Sequence, residues 1–479
     1  MWKPDRSVKK PIYQQIADYI ERRITFGEFP PGSSLPSERK LADSLGVNRS
    51  TVILAYEELR ASGIIESAKG SGTKVTKHKW GIAPKQTPNW KTYVEGGTFL
   101  PNLPFIRRIR EELRIAPGAI DFASGELSTD LFPNDIIREL LQTKSFQEDL
   151  GYDDPQGYSS LRETLVHFLE TQLHIHSTES SILITSGSQQ SLYLITQCLL
   201  SPGDAVAIED PSYCYSLPMF QSAGLRLFRL PVDDEGMNPD DIIALHRQHR
   251  IRMLFLNPNF QNPTGSVLSL ERKTRLLSIA SELGIPIVED DPFTLTAFEG
   301  TPPPTLKSLD TTGNVLYIGS LSKIAASGLR IGWLIAPQAV VSRLTDARQQ
   351  MDFGLSRIPQ WVANHFIADG HFENQIHLLR KSLKLKRDVL VSSLHDILGG
   401  SVSFMEPQGG LNIWCKFNRK VDDFKLLDEA IKRGVLFVPG SVYGSDQGHM
   451  RVSFARPRQD EIRQGLAQLY EALQHHKKA

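Results

Sequence analysis

Across residues 11–26 the apolar side chains Ile12, Ile16, Tyr19, Ile20 and Ile24 recur at the spacing of one helical face, and Gly27 follows as a stop. Ser37, after Pro36, is placed to cap a second helix carrying Leu41, Ala42 and Leu45 and ending at Gly46. Asn48 is placed to cap a third, which carries Val52, Ala55, Tyr56 and Leu59 and ends at Gly63. Two short helices about a glycine turn predict a helix-turn-helix. The period then changes to two. Residues 64–67 and 73–76 alternate as strands around Ala68-Lys69-Gly70-Ser71-Gly72, a hairpin with a basic tip that reads as a wing.

From about residue 78 to 117 no period is sustained: Pro84, Pro88, Pro101 and Pro104 are mixed with Gly96-Gly97, aromatic residues and charges, and only 105–113 looks helical. This stretch reads as a connection between domains at 1–77 and 118–479. In the second domain short apolar strands at 182–185, 205–208, 253–256, 285–288 and 315–318 alternate with helices, which predicts an α/β sheet with its site on the strand-end loops. From about residue 373 a long helix leads to a smaller α+β subdomain.

Candidate chemistry sits at those strand ends. After the last strand, Ser320-Leu321-Ser322-Lys323 turns through small hydroxyl residues and returns through Gly328-Leu329-Arg330 to an apolar run. A lysine in such a buried turn can condense with an aldehyde while Ser320, Ser322 and Arg330 hold a phosphate, and pyridoxal 5′-phosphate is an aldehyde that carries one. Taken alone, a motif this short more often marks a solvated surface lysine. Thr185-Ser186-Gly187-Ser188-Gln189 puts free amides at a helix start, either an ordinary cap or a phosphate cup. Glu289-Asp290-Asp291 follows a very apolar strand, so at least one carboxylate is expected to be buried and paired, with a helix cap or surface pair as the other reading.

Composition narrows the picture. With 479 residues and 40% hydrophobic content the chain exceeds one ordinary core. It has no apolar run of membrane-spanning length and no signal-peptide pattern after Met1, so a cytoplasmic protein is expected. Cys198, Cys214 and Cys415 are too dispersed for a disulfide framework or a zinc site. Net charge is zero overall, yet residues 1–80 hold 14 Lys and Arg against 9 Asp and Glu. The N-terminal piece is therefore the candidate polyanion binder, with Arg39, Arg49 and Lys69 at a cap, a helix start and the wing tip.

Two resemblances extend this reading. Leu35-Pro36-Ser37-Glu38-Arg39-Lys40-Leu41-Ala42 and Gly46-Val47-Asn48-Arg49-Ser50-Thr51-Val52 resemble the GntR-type winged helix, with Asn48 where serine is usual. That likeness implies duplex DNA as partner and Arg39, Asn48, Arg49, Thr51, Lys69 and Gly70 as the DNA-binding positions. The second domain resembles the fold-type I aminotransferases, with Ser327 where the lysine motif usually has proline. This implies Lys323 as the cofactor-linked lysine, Ser188 and Gln189 in the phosphate loop, Tyr213 on the ring, Asn262 at its hydroxyl and Asp290 at its nitrogen. It further implies Arg451 on a substrate carboxylate, and Tyr152 reaching the neighbouring subunit's phosphate in a homodimer. One position departs: Phe293 stands where the family usually has tyrosine. The two parts together resemble the MocR/GabR-type transcription regulators, implying a sensor of an amine, an amino acid or the cofactor. The rival expectation is a working aminotransferase with a DNA-binding appendage.

Overall fold

The computed structural model describes residues 2–68, 72–76, 90–116 and 118–476. The chain divides into two compact units, Met1–Gly97 and Thr98–Ala479.

The first unit contains α1 (Ile12–Thr25), α2 (Glu38–Leu45), α3 (Arg49–Ala61), the antiparallel pair β1 (Ile65–Ala68) and β2 (Gly72–Val75), and α4 (Trp90–Gly96). Ile16, Ile20, Leu41, Leu45, Val52, Tyr56 and Leu59 close a small core, as their helical spacing requires. The Ser37 hydroxyl accepts from the Lys40 amide at 3.3 Å, and α2 ends at Gly46 with φ +66°, a left-handed value that suits glycine. Asn48 occupies the cap position of α3, but its side chain makes no capping bond. The Thr51 amide it would have capped is taken by the Asn48 backbone carbonyl at 3.0 Å. β2 is tied to the segment before α2 by the amide of Leu35 to the carbonyl of Thr73 and that of Val75 to Ser33, which fixes the base of the wing. Lys69 and Gly70, expected at its tip, lie outside the described residues.

The second unit begins with α5 (Pro104–Ile115), β3 (Ile120–Asp121), α6 (Asn134–Thr143), α7 (Ser159–Leu173), β4 (Ile182–Thr185) and α8 (Ser188–Cys198). It continues through β5 (Ala205–Asp210), β6 (Arg226–Asp233), β7 (Gly236–Met237), β8 (Met253–Leu256), β9 (Ile287–Asp290), β10 (Val315–Ser320) and β11 (Gly332–Ile335). An eight-stranded sheet runs in the order β4-β11-β10-β9-β8-β5-β6-β7, its central strands parallel and β11 and β7 antiparallel to their neighbours. Apolar clusters cover both faces, which is why these strands are nearly continuous apolar runs. The helix His371–Ser393 leads to a four-stranded sheet of β12 (Val402–Phe404), β13 (Asn412–Phe417), β15 (Val438–Pro439) and β16 (His449–Ser453), while β14 (Val435–Leu436) pairs with β3.

Residues 98–116, expected as connection, pack within the second unit. The Leu100 amide donates to Ser222 Oγ at 2.8 Å, the Phe99 ring meets that of Tyr193, and Arg108 pairs with Asp428. Glu289 and Asp290 lie on the end of β9 rather than after it. Among the described residues no helix is long and apolar enough to cross a membrane.

Candidate functional site

The C-terminal ends of parallel strands are where an α/β sheet leaves room for ligands. Here the ends of β5, β8, β9 and β10 open into a cavity of about 430 Å³, lined by Ser188, Gln189, Tyr213, Asn262, Asp290, Ser322, Lys323, Arg330 and Arg451. These expected residues come from segments far apart in sequence, and the sheet brings them to one place. Two expected residues are not on its wall. Ser320 is buried one step behind, its hydroxyl accepting from the Ser322 amide at 3.1 Å and donating to the Ile331 carbonyl, so it shapes the lysine turn. Tyr152 is 90% exposed beside the Phe353 ring, away from this cavity.

Lys323 ends a short turn after β10, and its ammonium donates to the Gly125 carbonyl at 2.5 Å. Burial lowers its pKa to about 8, assisted by the positive charge of Arg451 and opposed by Glu126. Glu126 itself accepts from the Ser327 hydroxyl, linking the loop after β3 to the lysine turn. The Arg330 guanidinium donates to the Ser186 carbonyl at 2.7 Å. Gly187 makes that approach possible: a Cβ there would fall 2.6 Å from Arg330 Nη2, and its φ is +85°. No side chain caps α8, whose first two residues, Ser188 and Gln189, line the cavity.

Asp290 is buried, and its Oδ1 has no hydrogen-bond partner. Burial, reinforced by the neighbouring Asp291, raises its pKa to about 7, against the pull of Lys323. Asn257 holds the strand end by donating to the Asp290 carbonyl at 2.7 Å, and accepts from the Asn262 amide at 2.7 Å. The Asn262 carbonyl accepts from the Tyr213 amide, which joins three lining segments in one chain of bonds. Asp291 is satisfied separately, by the Thr294 amide and the Tyr317 hydroxyl, both at 2.9 Å. Arg451, on β16, is buried; it donates to the Ala123 carbonyl and, at 3.2 Å, to Asn262 Oδ1, and lies over the Tyr443 ring.

Several contributors escaped the sequence reading. Asn257 looked like part of a turn, although Asn-Pro at a strand end is also where a parallel sheet exposes its site. Phe105, Ile106, Ile109, Arg110 and Leu113 of α5 form one wall of the cavity. Their helical apolar stripe was a sign that α5 needed something to cover.

In the first unit Arg39 and Asn48 are exposed and Thr51 is half-buried. Arg49 is exposed at the start of α3, its Nη2 3.0 Å from Glu38 Oε2.

A winged helix-turn-helix followed by a cavity of this construction defines a two-part class: a GntR-type DNA-binding domain joined to a fold-type I aminotransferase-like domain. The family description "Bacterial regulatory proteins, gntR family" matches residues 12–75, and "Aminotransferase class I and II" matches 117–469. The uncharacterized HTH-type transcriptional regulator YdfD of Bacillus subtilis is 37% identical over 469 residues, 97% of each chain. YisV of the same organism, similarly described, is 38% identical over 97% of this chain and 96% of its own. A crystal structure of the Pyrococcus horikoshii kynurenine aminotransferase, in complex with PMP, superposes with TM-score 0.73 at 33% identity, covering 78% of this chain and 95% of its own. The chain belongs to the GntR-type helix-turn-helix transcription regulators that carry a class I and II aminotransferase domain, the MocR-type arrangement.

Proposed function

We propose that this regulator binds pyridoxal 5′-phosphate at Lys323 and, as a cytoplasmic homodimer on duplex operator DNA, responds to an amine, an amino acid or the cofactor itself. The observation that carries the reading is Asp290 Oδ1, a buried carboxylate oxygen without a partner in the same cavity as Lys323. An unpaired buried carboxylate is costly, and a protonated pyridine nitrogen would complete it. That partner would also draw the Asp290 pKa back down from about 7.

When bound, the cofactor supplies an aldehyde that condenses with amines and a ring that withdraws electrons. The chain's own residues divide the remaining work. Lys323 offers an amine that loses its proton near pH 8 rather than near the ordinary 10.4. Ser188, Gln189, Ser322 and Arg330 would hold the phosphate at the start of α8, Asn262 the ring hydroxyl, and Tyr213 the ring face. Arg451 would grip a ligand carboxylate, and Tyr152 of a second copy would reach the phosphate. On the DNA side Arg39, Asn48, Arg49 and Thr51, with Lys69 and Gly70 at the wing tip, would contact the duplex.

The test is to titrate the full-length protein with pyridoxal 5′-phosphate and follow the cofactor's bound absorbance in wild type, Lys323→Ala and Asp290→Asn. Bound absorbance is expected only where Lys323 is present and is weakened in Asp290→Asn. An unchanged spectrum in Lys323→Ala contradicts the assignment.

The aminotransferase reading is favoured by one observation: Lys323, with its pKa near 8, lies in the same cavity as Arg451 and could both accept and return a proton. Phe293, which lines the cavity without a hydroxyl, counts against it. Steady turnover of an amino acid with a keto acid at about 10 per second, typical of enzymes, would establish it.

A further inference from the structure

The first unit presents an apolar side chain where a DNA-binding helix is expected to present only polar ones. α3 buries Val52, Ala55, Tyr56 and Leu59. A helix advances about 100° per residue, so Leu54, between Val52 and Tyr56, points to the opposite side, with Ser50 one turn before it and Glu57 one turn after. Leu54 is 49% exposed, whereas the other large apolar residues of this helix are buried or, at Ile53, half-buried. Among the described residues, Leu54 is not part of the unit's apolar core.

Charge decides which part of this face can meet a polyanion. The first turn of α3 carries Arg49 and no acid, while Glu57 and Glu58 are exposed further along. A duplex therefore fits against the half of the helix that presents Ser50 and Leu54, and phosphates are repelled beyond it. Arg49 does not screen this half, because Glu38 of α2 engages its guanidinium through Nη2 at 3.0 Å and Nε at 3.4 Å.

We propose that Leu54 reads a thymine 5-methyl group in the major groove, with Ser50 beside it on the same helix face. The inference rests on the reading of α3 as the DNA-contacting helix and adds to it one base-specific contact. A leucine has no donor or acceptor for the other base edges, and the thymine methyl is the one apolar feature among them. Contacts from Arg39 and Arg49 to phosphates position the protein without distinguishing sequence; the Leu54 contact distinguishes it. Removing one buried methyl group should cost roughly four-fold in affinity.

The experiment uses the full-length protein and a duplex recovered with it from a random-sequence pool. Each thymine in the bound site is replaced in turn by deoxyuridine, which lacks only the methyl group. Wild type is expected to lose roughly four-fold in affinity at one thymine per half-site. Leu54→Ala should bind the thymine duplex more weakly and be indifferent to deoxyuridine at that position, with an unchanged salt dependence. Leu54→Met, which keeps an apolar side chain, should keep the discrimination. Equal wild-type affinity for thymine and deoxyuridine at every position overturns the proposal, as does discrimination that survives in Leu54→Ala. So does altered self-association of Leu54→Ala with unchanged duplex affinity, which would put the leucine in a protein contact. Failure to recover any duplex, or wild-type binding by Arg49→Ala, removes the DNA-contacting role of α3 itself and is distinguishable from those results.

Discussion

The two units handle charge in opposite ways. In the cavity of the second unit, Lys323, Asp290 and Arg451 come from three separate segments; the lysine and the arginine donate to backbone carbonyls, and Asn257 holds the Asp290 carbonyl at its strand end. Burial moves the protonation of the lysine, which falls to about 8, and of the aspartate, which rises to about 7. In the first unit Arg49 stands 65% exposed, with a single carboxylate for company. Exposed charges contribute through number and placement and are screened by salt, whereas buried ones contribute through geometry and are costly to leave unpaired. A buried site can thus be argued atom by atom, and a DNA-binding face only from its fold, its charge and its exposed exceptions.

The contrast can be broken most sharply at Lys323. Lys323→Ala should abolish the absorbance of bound cofactor while far-ultraviolet circular dichroism stays native; retained absorbance would return this lysine to the ordinary class of the first unit's charges. Next in size, Arg451→Ala should weaken the response to amino acids by about 100-fold, as expected when one partner of a buried charged pair is removed. Amines without a carboxylate should be little affected. Effector titrations followed through the cofactor spectrum measure both.

Protonation sharpens the same comparison. Capture of the cofactor requires the neutral amine, so its rate should rise about tenfold per pH unit below pH 8 and level off above it. A rise that continues towards pH 10 would mean that Lys323 titrates like a solvated lysine. On the DNA side, Arg49→Ala should weaken duplex binding and lower the slope of log affinity against log salt by about 1. Binding that ignores both salt and Arg49 would remove α3 from the interface. The smallest expected effect is at Phe293: turnover should be slow or absent in wild type, and Phe293→Tyr should raise it modestly by restoring a hydroxyl beside the cofactor's ring.

The same contrast explains what the sequence made legible. Apolar runs at 182–185, 253–256 and 315–318 coincide with β4, β8 and most of β10, because strands buried on both faces have little freedom in composition. The first three helices of the first unit were legible from their spacing, caps and stops, whereas α4 falls in a stretch with no sustained period; Asn48 does not cap as expected because the backbone carbonyl already holds the Thr51 amide. The cavity was legible where chemistry is concentrated in a short motif, as at Lys323, and illegible where a residue acts through a fold-dependent neighbour. Asn257 orders Asp290 and Asn262 across segments that only the sheet brings together. α5 was legible as a helix at 105–113, but its role as a cavity wall depends on contacts made far along the chain.

The central claim is that the buried cavity and the exposed DNA-binding face act as one regulator. The most direct measurement is the duplex affinity of the full-length protein, wild type and Lys323→Ala, with and without pyridoxal 5′-phosphate and a panel of amino acids. The wild-type affinity should shift by about 5-fold or more with cofactor or effector, the range of ordinary allosteric coupling, and that of Lys323→Ala should not. Identical affinities under all conditions in both proteins would contradict the account.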